Sequence, residues 1–129
     1  MPIAFWCVLI AGVLPIATVA IAKWSTHYDN GEPRAWSQRL DGYRRRAYAA
    51  HQNGFEAFPF FAAAVFGATL LKAPQPTIDM LALAFVLARI GYTACYVADW
   101  PTQRSLVWSA GWLATVAIFT APAWAMLSG

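Results

Sequence analysis

The sequence predicts an all-α integral membrane protein, a bundle of four helices. Three observations lead there. Hydrophobic residues make up 60% of the 129-residue chain and charged residues only 12%, against roughly 25% charged in a soluble domain. That leaves too few charges to cover a surface in water. Long apolar stretches, close to the ~20 residues that a helix needs to cross a bilayer core, alternate with polar or proline-rich breaks. Seven Trp, eight Phe and five Tyr are enough to form aromatic belts at both interfaces. At this length the chain makes one domain, residues 1–129.

The first helix is expected over residues 2–22, a run without a charge. Its "AIA" at residues 20–22 is similar to a signal-peptide cleavage site. No basic segment precedes it, however, and the run exceeds the ~7–15 apolar residues of a signal sequence. A retained helix is the better reading. Residues 23–45 form a polar loop with some local structure, its turn signals in "DNGEPRAW" at residues 29–36. The second helix spans 46–71 and stops at "KAPQP", whose two prolines force a tight connection. The third spans 77–97, with Thr77 as N-cap and Asp79 in its first turn. After "DWPTQR" the fourth spans 104–127. No internal repeat or low-complexity segment interrupts the series.

Charge orients the bundle. The net charge is +3, and six of the nine Lys and Arg fall between Lys23 and Arg46. Beside an apolar span such a run marks the cytoplasmic side and not a nucleic-acid site. The loop between helices 1 and 2 and the loop that ends at Arg104 are therefore expected in the cytoplasm, with Lys72 on the other face. A compact chain without a retention signal points to a bacterial inner membrane, with membrane lipids as its surroundings. Cys7 and Cys95 fall near opposite faces, too far apart for an intrachain disulfide, and read as small buried hydrophobes.

Within the spans two ionisable groups stand out, Glu56 and Arg89, and in lipid such groups have a partner or a function. Glu56 lies 15 residues before Leu71 and Arg89 lies 12 after Thr77, which puts them ~22 Å and ~18 Å from the same turn at 1.5 Å per residue. At this similar depth an ion pair is available. Arg46, Ala49 or Ala50, Asn53 and Glu56 recur at helical spacing on one face, as do Arg89, Tyr92 and Tyr96 on the next helix. Arg104 starts helix 4 on the same side. Guanidinium forks bind carboxylates, and a glutamate binds an ammonium. A zwitterionic peptide such as glutathione has that chemistry, as do other small anions. An ion pair that only fixes helix packing, with an aromatic belt at Tyr92 and Tyr96 and an interfacial anchor at His51, explains the same residues structurally. No metal-ligand spacing, phosphate loop or nucleophile elbow is present.

At these residues the chain resembles the MAPEG family, membrane-associated proteins in eicosanoid and glutathione metabolism. The resemblance rests on "RAYAAHQNGFEAFPFF" at residues 46–61, "RIGYTACY" at 89–96 and "RS" at 104–105, within a four-helix layout that covers most of the chain. It is similar to a bacterial member. The resemblance implies a homotrimer that binds glutathione as co-substrate between subunits, near the cytoplasmic face. It also implies that Arg46, His51, Gln52, Asn53, Glu56, Arg89, Tyr92 and Tyr96 hold the tripeptide. Arg104 matches the arginine that stabilises the glutathione thiolate, and Ser105 matches a neighbour that assists. Ala49 departs from the pattern, because the family has an arginine there and Arg45 or Arg46 would have to replace it. The implied activity is that of a transferase or peroxidase acting on a lipophilic substrate from the bilayer. A noncatalytic scaffold with the same fold is the alternative, favoured by Ala49. A small transporter is a third class, disfavoured because the first helix carries no charge.

Overall fold

The computed structural model describes residues 1–24 and 27–129. Ser25 and Thr26, within the loop expected over residues 23–45, lie outside the described residues. Among the described residues five α-helices follow in order: α1 (Ile3–Lys23), α2 (Pro33–Gln38), α3 (Gly42–Leu70), α4 (Gln75–Val97) and α5 (Pro101–Ser128). Among the described residues there is no strand. The helices α1, α4 and α5 are each long and apolar enough to cross a membrane. The 29-residue α3 is long enough, but Arg44, Arg45, Arg46 and Glu56 occupy its first half.

The four long helices run alternately up and down. Arg46 near the start of α3 reaches the carbonyl of Val97 at the end of α4, with Nε at 3.2 Å and Nη2 at 3.0 Å. At the opposite end Asp79 near the start of α4 accepts the backbone N–H of Ala4 at 2.9 Å. Packing is closest between α1 and α3 and between α4 and α5. The core is built of small and aromatic side chains, among them Ala4, Cys7, Phe61, Ala64, Val65, Ile78, Phe85 and Ile118. Phe61 stacks on Phe85 with centroids 3.9 Å apart and planes at 10°. A second, smaller cluster of Ala22, Trp36, Leu40 and Ala47 holds α2 against the basic end.

Glycine sets the α1–α3 distance. A Cβ added at Gly54 would lie 2.8 Å from the Pro15 Cγ, so only a residue without a side chain lets α3 approach there.

Both tight turns end their helix with a residue in the left-handed region. Lys72 has φ 60° and Asp99 has φ 62°. Around Lys72, the N–H of Ala73 donates to the Ala68 carbonyl at 3.0 Å, and around Asp99 that of Trp100 donates to Cys95 at 2.8 Å. These are Schellman closures without glycine, each followed by proline, which cannot continue the helix.

Three expected boundaries shift. The helix expected from residue 46 begins at Gly42, because the arginines extend it: the N–H of Arg45 donates to the Asp41 carbonyl at 3.2 Å. The helix expected from Thr77 begins at Gln75, with Pro74 at the N-cap position. Asp79 is spent on Ala4 and on the Gln75 amide, which donates to it at 2.8 Å. The last helix begins at Pro101, so Arg104 sits inside its first turn, its N–H donating to the Trp100 carbonyl at 2.9 Å.

Candidate functional site

Three of the residues singled out by spacing meet between α3 and α4. Arg89 is 5% exposed, and its Nη1 donates to Asn53 Oδ1 at 2.8 Å. The Asn53 Nδ2 in turn donates to Glu56 Oε2 at 3.3 Å. The amide thus stands between cation and carboxylate, satisfying each with its opposite end. In place of the expected direct ion pair, the structure has a relay. Asn-x-x-Glu at i, i+3 puts both side chains on one face of α3, and the antiparallel hairpin to α4 brings Arg89 to their level.

From Arg89 a ladder of rings and guanidinium groups leads to the end of the bundle. The Arg89 Cζ lies 4.3 Å from the Tyr92 ring centroid. Tyr92 meets Tyr96 edge to face at 5.6 Å, and Arg104 covers Tyr96 at 4.3 Å. Guanidinium over a phenol face is attractive because the ring presents its negative quadrupole. The ladder therefore links Arg104 on α5 to the relay through α4.

A cavity of about 280 Å³ opens beside the relay, lined by Asn53, Glu56, Ala57 and Phe60 of α3, Phe85 and Arg89 of α4, and Trp108, Gly111, Trp112 and Thr115 of α5. Its lining combines the polar Asn53, Glu56 and Arg89 with the aromatic rings of Phe60, Phe85, Trp108 and Trp112. Phe60, Trp108 and Trp112 are 40%, 42% and 49% exposed, so the cavity opens outward between α3 and α5. Gly111 packs against α4, where an added Cβ would come into van der Waals contact with the Ala88 Cβ at 3.4 Å.

A model of the MAPEG family matches residues 3–124. The chain belongs to the MAPEG family. It is an integral membrane protein of helices, and the family as a whole is associated with glutathione. No curated protein and no solved structure shows a significant match to this MAPEG chain.

The remaining predicted residues of this family member fall elsewhere. Tyr92, Tyr96 and Arg104 stand beside the cavity on the ladder and not among its lining residues. Ser105 is exposed next to Arg104. Gln52 is exposed on α3. His51 faces α1, its Nδ1 2.6 Å from the Pro15 carbonyl, and meets Tyr48 at a tilt and Phe55 edge to face. A carbonyl only accepts, so Nδ1 carries the proton in this contact. Arg46 is committed to the Val97 carbonyl, where it caps the end of α4. The aromatic wall of α5 was not among the sequence candidates. Its signal was the spacing Arg104, Trp108, Gly111, Thr115, one helical face that runs inward from Arg104.

Proposed function

We propose that this protein is a glutathione-dependent transferase or peroxidase that acts on lipophilic electrophiles within the membrane. The cavity carries the reading, because it joins a charged relay to an aromatic wall that opens sideways toward lipid. The residues fit glutathione chemically. The Arg89 guanidinium keeps N–H donors beyond the one given to Asn53, suited to a carboxylate. Glu56, exposed at the mouth, suits the ammonium. At about 280 Å³ the cavity falls just below the ~300–1,000 Å³ of small-molecule sites. A second subunit laid against the α3–α5 opening completes it. The assembly in this reading is a homotrimer with α3 as the fourth span and the basic end in the cytoplasm, in a bacterial inner membrane.

Arg104 is the catalytic group of the proposal. A free thiol titrates near ~8.5, and an adjacent guanidinium favours the thiolate. The sulfur would lie toward Arg104 at the outer end of the ladder, with Ser105 beside it. The thiolate then attacks an electrophilic carbon presented from the bilayer side, and the leaving group departs with the bonding electron pair. With a hydroperoxide it attacks the terminal oxygen, the O–O bond breaks, and the alcohol leaves after taking a proton from water. A second glutathione converts the resulting sulfenic acid to glutathione disulfide and water. Tyr92 and Tyr96 hold the guanidinium groups in place by their faces.

Calorimetry on the detergent-purified protein tests binding: glutathione titrates with saturable heat, and its absence overturns the assignment. Arg104→Ala is expected to lower turnover by about a hundredfold or more, the scale for loss of one transition-state donor, with the oligomer intact. Unchanged turnover removes Arg104 from the mechanism. One observation favours the noncatalytic alternative. Ala49 leaves no arginine on its turn, and Arg46, one turn earlier, is tied to Val97.

A further inference from the structure

The junction between α1 and α3 at the basic end carries features that the thiol site does not use. Ala20, Ile21, Trp24 and Tyr43 line an apolar trough of about 220 Å³ on the outer surface. At its rim stands Arg44, with Nη2 donating to the Trp24 carbonyl at 3.1 Å and Cζ 4.9 Å from the Tyr43 ring centroid. The same guanidinium thus touches two of the four residues that wall the trough. Its Nε is enclosed and has no hydrogen-bond partner among the described residues. Arg45 follows on the next position and is exposed. Over residues 23–46 six cations, Lys23, Arg34, Arg39, Arg44, Arg45 and Arg46, outnumber three carboxylates, Asp29, Glu32 and Asp41. Trp24 is 73% exposed and Tyr43 41%, aromatic side chains of the kind that sit at headgroup level.

We propose that this junction binds an anionic glycerophospholipid, with one acyl chain in the trough and the phosphate on Arg44. The pieces match a phospholipid in order. The apolar wall runs along the end of α1, which is apolar enough to span a membrane, the aromatic rings follow, and the guanidinium lies where the hydrocarbon stops. An arginine fork suits a phosphate better than an ammonium would. The surrounding positive charge selects a headgroup of net negative charge over a zwitterionic one, whose terminal cation it repels. A soluble phosphate would use the guanidinium and leave the trough without a role.

Native mass spectrometry of the full chain in detergent, titrated with phosphatidylglycerol or phosphatidylcholine, tests this. Phosphatidylglycerol is expected to bind at least about fivefold more tightly, the effect of one basic group near a membrane surface. Arg44→Gln should remove that preference, while Lys72→Gln, an equal charge change at the other end, should keep it. Trp24→Ala should weaken both lipids. Equal affinities in the unmodified protein, or equal losses in R44Q and K72Q, overturn the proposal. So does displacement of the lipid by glycerol phosphate at equal concentration. A measurement without substitutions stands beside these: photoreactive phosphatidylglycerol should label residues 20–24 and 43–45, and labelling confined to other segments refutes the site.

Discussion

Asn53 is the residue on which the polar interior depends. It accepts from Arg89 and donates to Glu56, so replacing it leaves a buried guanidinium without its acceptor. Asn53→Ala is expected to destabilise the protein by about 2–3 kcal/mol, the scale for a hydrogen bond to a charged group, measured by thermal unfolding in detergent. Asn53→Asp should recover only part of that loss, because a carboxylate pairs with Arg89 but repels Glu56, to which it no longer donates. Recovery of stability without recovery of glutathione binding would separate the structural role of the amide from its role in the site. Much of this was legible in the sequence, since a Glu and an Arg at matched depth in two apolar helices have few other reasons to be there. The amide between them was legible as a neighbour and not as a bridge. Trp108 and Trp112 were not legible as part of the site, because an aromatic residue in an apolar helix reads equally well as lipid-facing. The contact of His51 with Pro15 escaped for a different reason: its acceptor is a backbone carbonyl, which carries no residue-type signature.

Helix packing and helix termination make two further predictions. Gly54→Ala places a methyl against the Pro15 ring and should cost about 1–3 kcal/mol, the range for overpacking a close contact. Gly67→Ala serves as control, because a Cβ there meets nothing within 4 Å. At the α3–α4 turn, Lys72→Gly relieves the left-handed backbone at φ 60° and should stabilise by about 1 kcal/mol, read as a rise in Tm. The breaks at Pro74, Pro76 and Pro101 were easy to place from sequence because these prolines stand among polar and turn residues, where a proline suits the first turn of a helix. Pro15, Pro59 and Pro122 lie inside α1, α3 and α5, so proline alone does not mark a boundary. The start of α3 was harder. Arg44–Arg46 read as loop by charge, yet arginine is a good helix former and nothing in the backbone opposes it. The short α2 lies in a stretch rich in turn residues, and Pro33 at its first position and the buried Trp36 are what define it.

The whole molecule is two tightly packed hairpin-like pairs whose ends are tied by single polar contacts. Cys7 lies near the start of α1 and Cys95 near the end of α4, on opposite ends of the bundle. Reducing agent should therefore leave the Tm unchanged, and a shift on reduction would contradict this arrangement. The all-helical membrane class was legible from composition alone, because a surface with so few charges has no other solvent. What holds the bundle in register was not, since a contact such as that of Asp79 with Ala4 joins residues 75 apart in sequence. That span carries a consequence for biosynthesis. At about 5–20 residues per second, the completed α1 (Ile3–Lys23) waits roughly 3–11 s before the side chain that closes its first turn has been made. Until then its leading N–H groups must find water or headgroups, which keeps that end of α1 at the bilayer surface. A ribosome stalled before residue 79 would present α1 with its N-terminal end untethered, accessible to protease from that side. Release past that point should protect it in a single step.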